Sequence, residues 1–564
     1  MKISPLLTNI KKIICAVLGA TGVAAAQSTV QLAPAYVHVD KARQLVLVNA
    51  PLQQLATPDS LRGIKVGSTT YVLLRPVARV SCTRAYPAVA GGQKVELHFT
   101  QIPVLELSTR HQIADTPSVY AELQLADSTG VLAKTATGIE IRGGYSQNYP
   151  KKSYELSLWA DTVGAVSRDL SLLGMRTDNK WNLQAQYNDQ LRLRLKVANE
   201  LWQQIHQPYY QAQEPAARSG ISMAYTEVFL NGSYQGIYAL SERIDRKQLK
   251  LKKYAGGIKG ELYKGAGWDA AVVFSGAPAY DNTSLTWSGF EYKEPTEEIN
   301  WTSLHDFVSF VVNSPDATFY SQYQKQLHQA NAIDYYLFIN LLRAYDNTGK
   351  NAYLARYKQG EPYFYVPWDL DGVLGNDWAG HNDNVVTGLP TNGLFDRLMR
   401  ETTSAGFRTL LGTRWNALRS SVITPANINR KLLAANAYLQ ANNAYAREHL
   451  AWPDFTYDPA QLTYPMTWLT GRLAYLDDAF RPVATALAAN PAAAPARLQL
   501  YPNPAQGFVE VEAPAGPLLV QDLSGRTVLQ ATLTGPRARL SLAHLPPGLY
   551  LVRLGSTVQK LQVQ

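Results

Sequence analysis

The sequence predicts an α+β chain with a small β-rich region at residues 27–94, a long mixed part at 95–490 and a C-terminal β-sandwich at 498–564. Three observations carry that expectation. Residues 27–94 alternate apolar and polar positions in short pieces ("AYVHVD", "QLVLVNA", "TTYVLLRPV") broken by Pro, Gly and Ser, the period-2 pattern of half-buried strands. The part that follows mixes both periods. Leu191, Leu195, Ala198, Trp202 and Ile205 recur at steps of three and four within 189–206, which marks an amphipathic helix. "YTEVFLNGSYQGIYALSERID" (225–245) is two alternating runs around Asn231-Gly232, a hairpin signal because both residues accept positive φ. Beyond "TALAANPAAAPARLQ" the composition turns to Ala and Pro, giving a linker at 491–497, and then to short strands with Pro-Asn-Pro and Pro-Gly turns.

The totals set limits on function. With 564 residues, 46% hydrophobic and 17% charged, the chain is globular and long enough for several domains. Residues 1–26 put Lys2, Lys11 and Lys12 ahead of an apolar run that ends in small residues, which predicts a secretory signal peptide cut near Ala26. Ile14 before Cys15 is not the small residue a lipoprotein signal needs, so no lipid anchor is expected. No later stretch reaches the length of a spanning helix. Loss of the three lysines lowers the formal charge of +9 by three, too mild to suggest a nucleic-acid partner. The basic run "RIDRKQLKLKKY" (243–254) has no nucleic-acid fold signature around it and reads as a solvated helix face. Cys82 is alone once the signal is removed, so neither an intramolecular disulfide nor a cysteine metal site is expected.

Chemistry concentrates in "RAYDNTGKNAYLARYKQGEPYFYVPWDLDGVLG" (343–375), where Asp346, Asn351, Asp369 and Asp371 interrupt runs of buried-strand character. Unpaired carboxylates are costly there. Asp346 and Asn351 stand five apart, as in the catalytic loop of protein kinases. The alternating pair after them predicts a hairpin that brings Asp369 and Asp371 back beside them. Such a set suits a hard divalent cation, with Asp369 or Asp371 as ligand and Gly372 permitting the turn. A phosphoryl-transfer site also needs cations. In "IEIRGGYSQNYPKKSYELSLW" (139–159) Arg142 enters a Gly-Gly turn, and Lys151 and Lys152 open the next strand. Successive strand residues face opposite ways, so one of the two lysines is expected to point inward. No G-x-S-x-G elbow, Walker A loop or H-E-x-x-H pair is present.

Six ordered motifs, "FTQIPVLELST", "IRGGYSQNYPKKSYELSL", "VFLNGSYQGIYALSERID", "ELYKG", "YDNTGKNAYL" and "PWDLDGVLG", resemble the CotH (spore-coat protein H) family of atypical secreted protein kinases. The resemblance covers roughly residues 95–400. It implies a reduced protein-kinase-like central domain that binds ATP and magnesium and phosphorylates Ser or Thr of a protein substrate. On that resemblance Asp346 is the catalytic aspartate, and Asn351 and Asp369, with Asp371 beside them, are the metal ligands. Lys151 or Lys152 holds the nucleotide phosphates together with Arg142, and Glu242 is the ordered polar partner in the pocket. Departures lie on the nucleotide side, in "RGGYSQNYPKKSY" and "YNDQLRLRLKVANEL". The C-terminal motifs "LYPNPAQGFVEVE", "VQDLSGRTVLQ" and "LPPGLYLVRL" are similar to the type A sorting domain of the type IX secretion system, which implies export and a cell-surface or secreted location. Two alternatives to a kinase remain: a kinase-like surface module that binds without turnover, suggested by the scarcity of ATP outside cells, and magnesium-dependent phosphoester hydrolysis.

Overall fold

The computed structural model describes residues 28–57, 59–482, 498–555 and 557–564; the expected signal peptide and the 491–497 linker lie outside these. The chain divides into two compact units, residues 1–483 and 484–564.

The first unit begins with a seven-stranded sheet ordered Thr29–Leu32, Leu61–Val66, Thr69–Val77, Ala85–Ala90, Gln93–Phe99, Leu45–Val48 and Val37–Asp40. Leu45–Val48 is buried on both faces: Val46 and Val48 join the sheet's own core, while Leu45 and Leu47 pack with Val104, Phe229 and Tyr234 of the next layer. A strand covered twice reads as a continuous apolar run, as "LVLV" does. Gln93–Phe99 belongs to this sheet. The expected boundary at 94/95 therefore falls inside a strand.

Seven further strands close a barrel in the order Gly130–Arg142, Ser153–Trp159, Lys180–Gln184, Ser233–Ser241, Met223–Leu230, Val104–Ser108 and Val119–Asp127. Closure leaves no free sheet edge. Leu105, Leu123, Leu156, Trp181, Leu183 and Tyr238 fill its interior. The Asn231-Gly232 hairpin forms as read, with φ of 52° and 74° at its turn. Its other face, through Tyr225, Ile237 and Ala239, packs on the helical core.

The helix expected over 189–206 runs from Arg194 to Ile205. It starts late because the buried Asp189 carboxylate accepts from the amides of Leu193 and Arg194, both at 2.6 Å. That satisfies donors a helix start leaves unpaired. Gln329–Leu342 is buried on nearly every side and is the central helix of the core. A five-stranded sheet, ordered Thr286–Trp287, Phe290–Glu294, Glu261–Gly265, Ala352–Arg356 and Tyr363–Pro367, lies in the same core. Helices Phe407–Arg419, Pro425–Ala441, Ala444–Ala451 and Ala460–Ala479 follow it. Only Arg246–Leu249 of the basic run is helical, and the rest is extended or turning, because Lys250 takes φ +52° and ends the helix. No described helix is long and apolar enough to cross a membrane.

The second unit is β-rich: a three-stranded and a four-stranded sheet share one core that includes Val509, Val511, Leu518, Val520, Val552 and Leu561.

Candidate functional site

The hairpin of Ala352–Arg356 and Tyr363–Pro367 pairs Ala352 with Pro367, so Asn351 and Trp368 emerge side by side. The Trp368 amide donates to Asn351 O at 3.0 Å. The Asn347 side chain ties the ends together, donating to the carbonyls of Asn351 (2.5 Å) and Trp368 (2.9 Å). Asn351 and Asp369 take φ of +58° and +55°, a region that Asn and Asp enter at lower cost than most residues. Asp346 arrives from the other side, on the 3-10 turn Tyr345–Thr348 that follows the central helix.

Asp346, Asn351, Asp369 and Asp371 all line one cleft of about 880 Å³. Asn351 Nδ2 lies 3.5 Å from Asp346 Oδ2, and Lys350 Nζ lies 3.8 Å from the same oxygen. Burial raises the Asp346 carboxyl above the ordinary range; the charge of Asp369 adds to this and Lys350 opposes it. Asp371 accepts from Asn188 Nδ2 and from the Gly372 amide, each at 2.9 Å. Burial, then the neighbouring Asp369 charge, pushes it up to about 7. Asp346 and Asp371 thus each feel the Asp369 charge, and a cation beside Asp369 would relieve both burial and repulsion. Among the described residues no three His, Cys, Asp or Glu side chains form a ready metal cage. Magnesium does not need one, since it is held by one or two carboxylates and completed by water and phosphate.

Of the cations the sequence points to, the two lysines have their ammonium groups committed to other partners. The Lys151 side chain is fully buried; its ammonium donates to Ile237 O (2.5 Å) and to Glu448 Oε1 (2.7 Å), and it packs over the Tyr238 ring. Burial depresses it to about 8, against the pull of Glu448. Lys152 folds back over its own loop onto the carbonyls of Gln147 and Tyr149, both at 2.6 Å. Neither ammonium group is free for a ligand. One lysine does point inward, as alternation requires: Lys151 is the buried one, Lys152 lies on the other side, and both ammonium groups already have acceptors. The expectation for Glu242 is corrected. It accepts from the amides of Arg176 (2.9 Å) and Ser222 (2.8 Å) and from Gln248 Nε2 (3.0 Å), and lines a different cavity.

Lys264 is a further cation of the cleft. It sits in Glu261–Gly265, paired with Tyr353 in the sheet, and lines the cleft; its ammonium makes no hydrogen bond or ion pair among the described residues. Burial lowers its ammonium; Glu291 and Asp369 oppose that, so the Asp369 charge is felt at Lys264. It lies within "ELYKG", whose solitary basic residue between apolar ones was the available signal. Arg142 reaches the cleft as read, bonded to Gln184 and placed over the Trp368 ring at 5.6 Å. Arg243, next to Glu242, enters from the other side and pairs with Glu155. Exposed Tyr145, Trp268 and Trp378 border the cleft, with Tyr145 edge-on to Trp378 at 4.8 Å.

An acidic cluster suited to a divalent cation, in one cleft with Lys264 and Arg142, is an arrangement that can hold a metal-bound polyanion. Comparison with known proteins adds to it. The family model described as "CotH kinase protein" matches residues 139–476. The model described as "Secretion system C-terminal sorting domain" matches residues 499–564. The "Inner spore coat protein H" of Bacillus subtilis (strain 168) is 25% identical over 245 residues, 43% of this chain. The match spans 60% of that relative's own length.

Proposed function

The chain belongs to the CotH kinase protein family, and from that premise we propose that it is an exported phosphotransferase, moving the terminal phosphoryl group of ATP to a Ser or Thr hydroxyl of a protein substrate. In this reading the central part is a reduced protein-kinase-like domain. The observation that carries it is the meeting of Asp346, Asn351, Asp369 and Asp371 in one cleft with Lys264 and Arg142.

Asp369 and Asn351, with Asp371 beside them, would hold magnesium, which supplies charge neutralisation of the phosphates when bound. Lys264 and Arg142 bind and orient the phosphate oxygens. Asp346 accepts the hydroxyl proton on a carboxylate oxygen as the substrate oxygen forms its bond to the γ-phosphorus. The bond to the bridging oxygen breaks, and ADP leaves with the electron pair. Such catalysis is positioning plus electrostatics, so single side chains weigh heavily. The sorting domain at 499–564 supports export by the type IX machinery to the cell surface or medium.

The test is transfer from γ-labelled ATP in the parent and in Asp346→Asn and Asp369→Asn. Each variant should lose about 100-fold or more at an unchanged melting temperature. Undiminished transfer by either variant overturns the assignment. One observation favours a second reading, a binding module without turnover: neither Lys151 nor Lys152 presents its ammonium to the cleft. A parent that shows neither transfer nor a thermal shift with millimolar ATP and magnesium would support that reading.

A further inference from the structure

A second cavity, of about 670 Å³, lies behind the segment 242–246. Seven Lys and Arg side chains line it, with only two carboxylates, Glu214 and Glu242. Both acids are already engaged. Glu242 is saturated by two backbone amides and Gln248, and Glu214 accepts from Lys252 at 2.7 Å and from the Tyr357 hydroxyl at 3.1 Å. Two of the cations are neutralised from outside the cavity, Arg176 by Asp178 and Asp245 and Lys247 by Asp178. What remains is Arg246, Lys250 and Lys253, which make no ion pair or side-chain hydrogen bond among the described residues. Arg218, whose amide donates to Gln248 O at 3.2 Å, is exposed, and its guanidinium touches only two carbonyl oxygens.

Like charges gathered in a concave surface repel one another and focus their field outward. The position of the cavity says what such a field is for. Arg243 and Asp245 line the acidic cleft, while Glu242 and Arg246 line the basic cavity; the thickness of one chain segment separates the two. The free cations come from two stretches, 218 and 246–253. Segment 242–246 lines both cavities, so a polypeptide engaged at the cleft has this basic surface on the far side of one chain segment.

We propose that this basic groove docks an acidic stretch of the polypeptide substrate, carrying carboxylates or phosphorylated side chains close to the hydroxyl that is modified. The partner's identity as a substrate rests on the phosphotransferase reading; its acidic character rests on the groove alone. Arg246, Lys250 and Lys253 set specificity through charge, and Arg218 lines the same cavity.

The test uses the full chain and fluorescence anisotropy with labelled peptides: a Ser peptide flanked by Glu, the same peptide flanked by Gln, and one flanked by phosphoserine. The Glu and phosphoserine peptides should bind at least about tenfold more tightly than the Gln peptide, with the difference shrinking as salt rises. The triple variant Arg246→Glu/Lys250→Glu/Lys253→Glu should abolish that preference while keeping the parent's nucleotide-induced thermal shift. A matched charge reversal at the remote Lys65, Lys94 and Arg430 should leave the preference intact. Equal binding of the Glu and Gln peptides, or equal loss in the remote variant, overturns the proposal. Acidic-peptide preference without any nucleotide shift overturns the phosphotransferase reading and leaves the groove standing; a nucleotide shift without that preference does the reverse. Equal competition by an anionic polysaccharide would also overturn the assignment to a peptide.

Discussion

Glu448 should be the most sensitive buried charge in the molecule. Its carboxylate is fully enclosed and receives Lys151 Nζ at 2.7 Å, Arg192 at 3.1 Å and the Ile237 amide at 2.6 Å. One anion therefore serves two cations. Glu448→Gln keeps the shape and a carbonyl for Ile237 but leaves both cations without a counter-charge. Breaking a buried pair in this way costs about 3–5 kcal/mol. Arg192 cannot shed its proton, whereas Lys151 can. From the parent's folded value of about 8, that release at pH 7 costs about 1.4 kcal/mol, which caps the lysine's share. Lys151 already sits at about 8 in the parent. Its folded value lies below the unfolded one, so the unfolded chain binds more protons and stability rises as pH climbs from about 8 to 10.5. In the variant that rise begins at lower pH, so the lysine's share of the deficit should vanish by about pH 9 while the share from Arg192 remains. Tryptophan fluorescence during urea unfolding reads the right unit, because all 11 Trp lie between residues 159 and 468. Adding Lys151→Met should restore part of the loss, since only Arg192 then lacks a counter-charge. A deficit under about 1 kcal/mol at pH 7, or a double variant no better than the single, would refute this account of the triad.

Two other perturbations separate the site from the scaffold. Lys264→Met should remove most of the nucleotide-induced thermal shift with little change in intrinsic stability, because a half-buried cation without a partner is lost; Lys152→Met should keep the shift, and the reverse ranking in a melting assay would restore Lys152 to the phosphate role. His98 is buried, both ring nitrogens lack hydrogen-bond partners, and burial followed by Arg447 depresses it to about 3; Glu96 lies 3.6 Å away but is exposed, so burial governs. Its contribution is complete above about 6.5 and drains as pH falls toward 3, by about 2.7 kcal/mol at pH 4.5. Urea midpoints for the parent and His98→Gln should therefore differ in their pH slopes between pH 7 and 4.5, and parallel slopes would count against a neutral buried imidazole.

How much of this could be read without coordinates depends on chain distance and on which face a strand presents. The Asn231-Gly232 and 352–367 hairpins follow from alternation and turn residues a few positions apart, and the second carries Asn351 to Asp369 by its register. Local pattern therefore sufficed for the α+β class and the gathering of the four acidic and amide side chains in one cleft. It could not give the direction of Lys151 and Lys152 or of Glu242 and Arg243. Alternation says only that neighbours diverge; which side is the cleft depends on how the barrel packs. Nor could it reveal that Glu448, 297 residues beyond Lys151, claims that lysine. A chain settles its strands, turns and helices through neighbours it meets within a few residues, whereas the partner of a buried charge is whichever distant group packing delivers in a medium too poor in water to leave the charge alone.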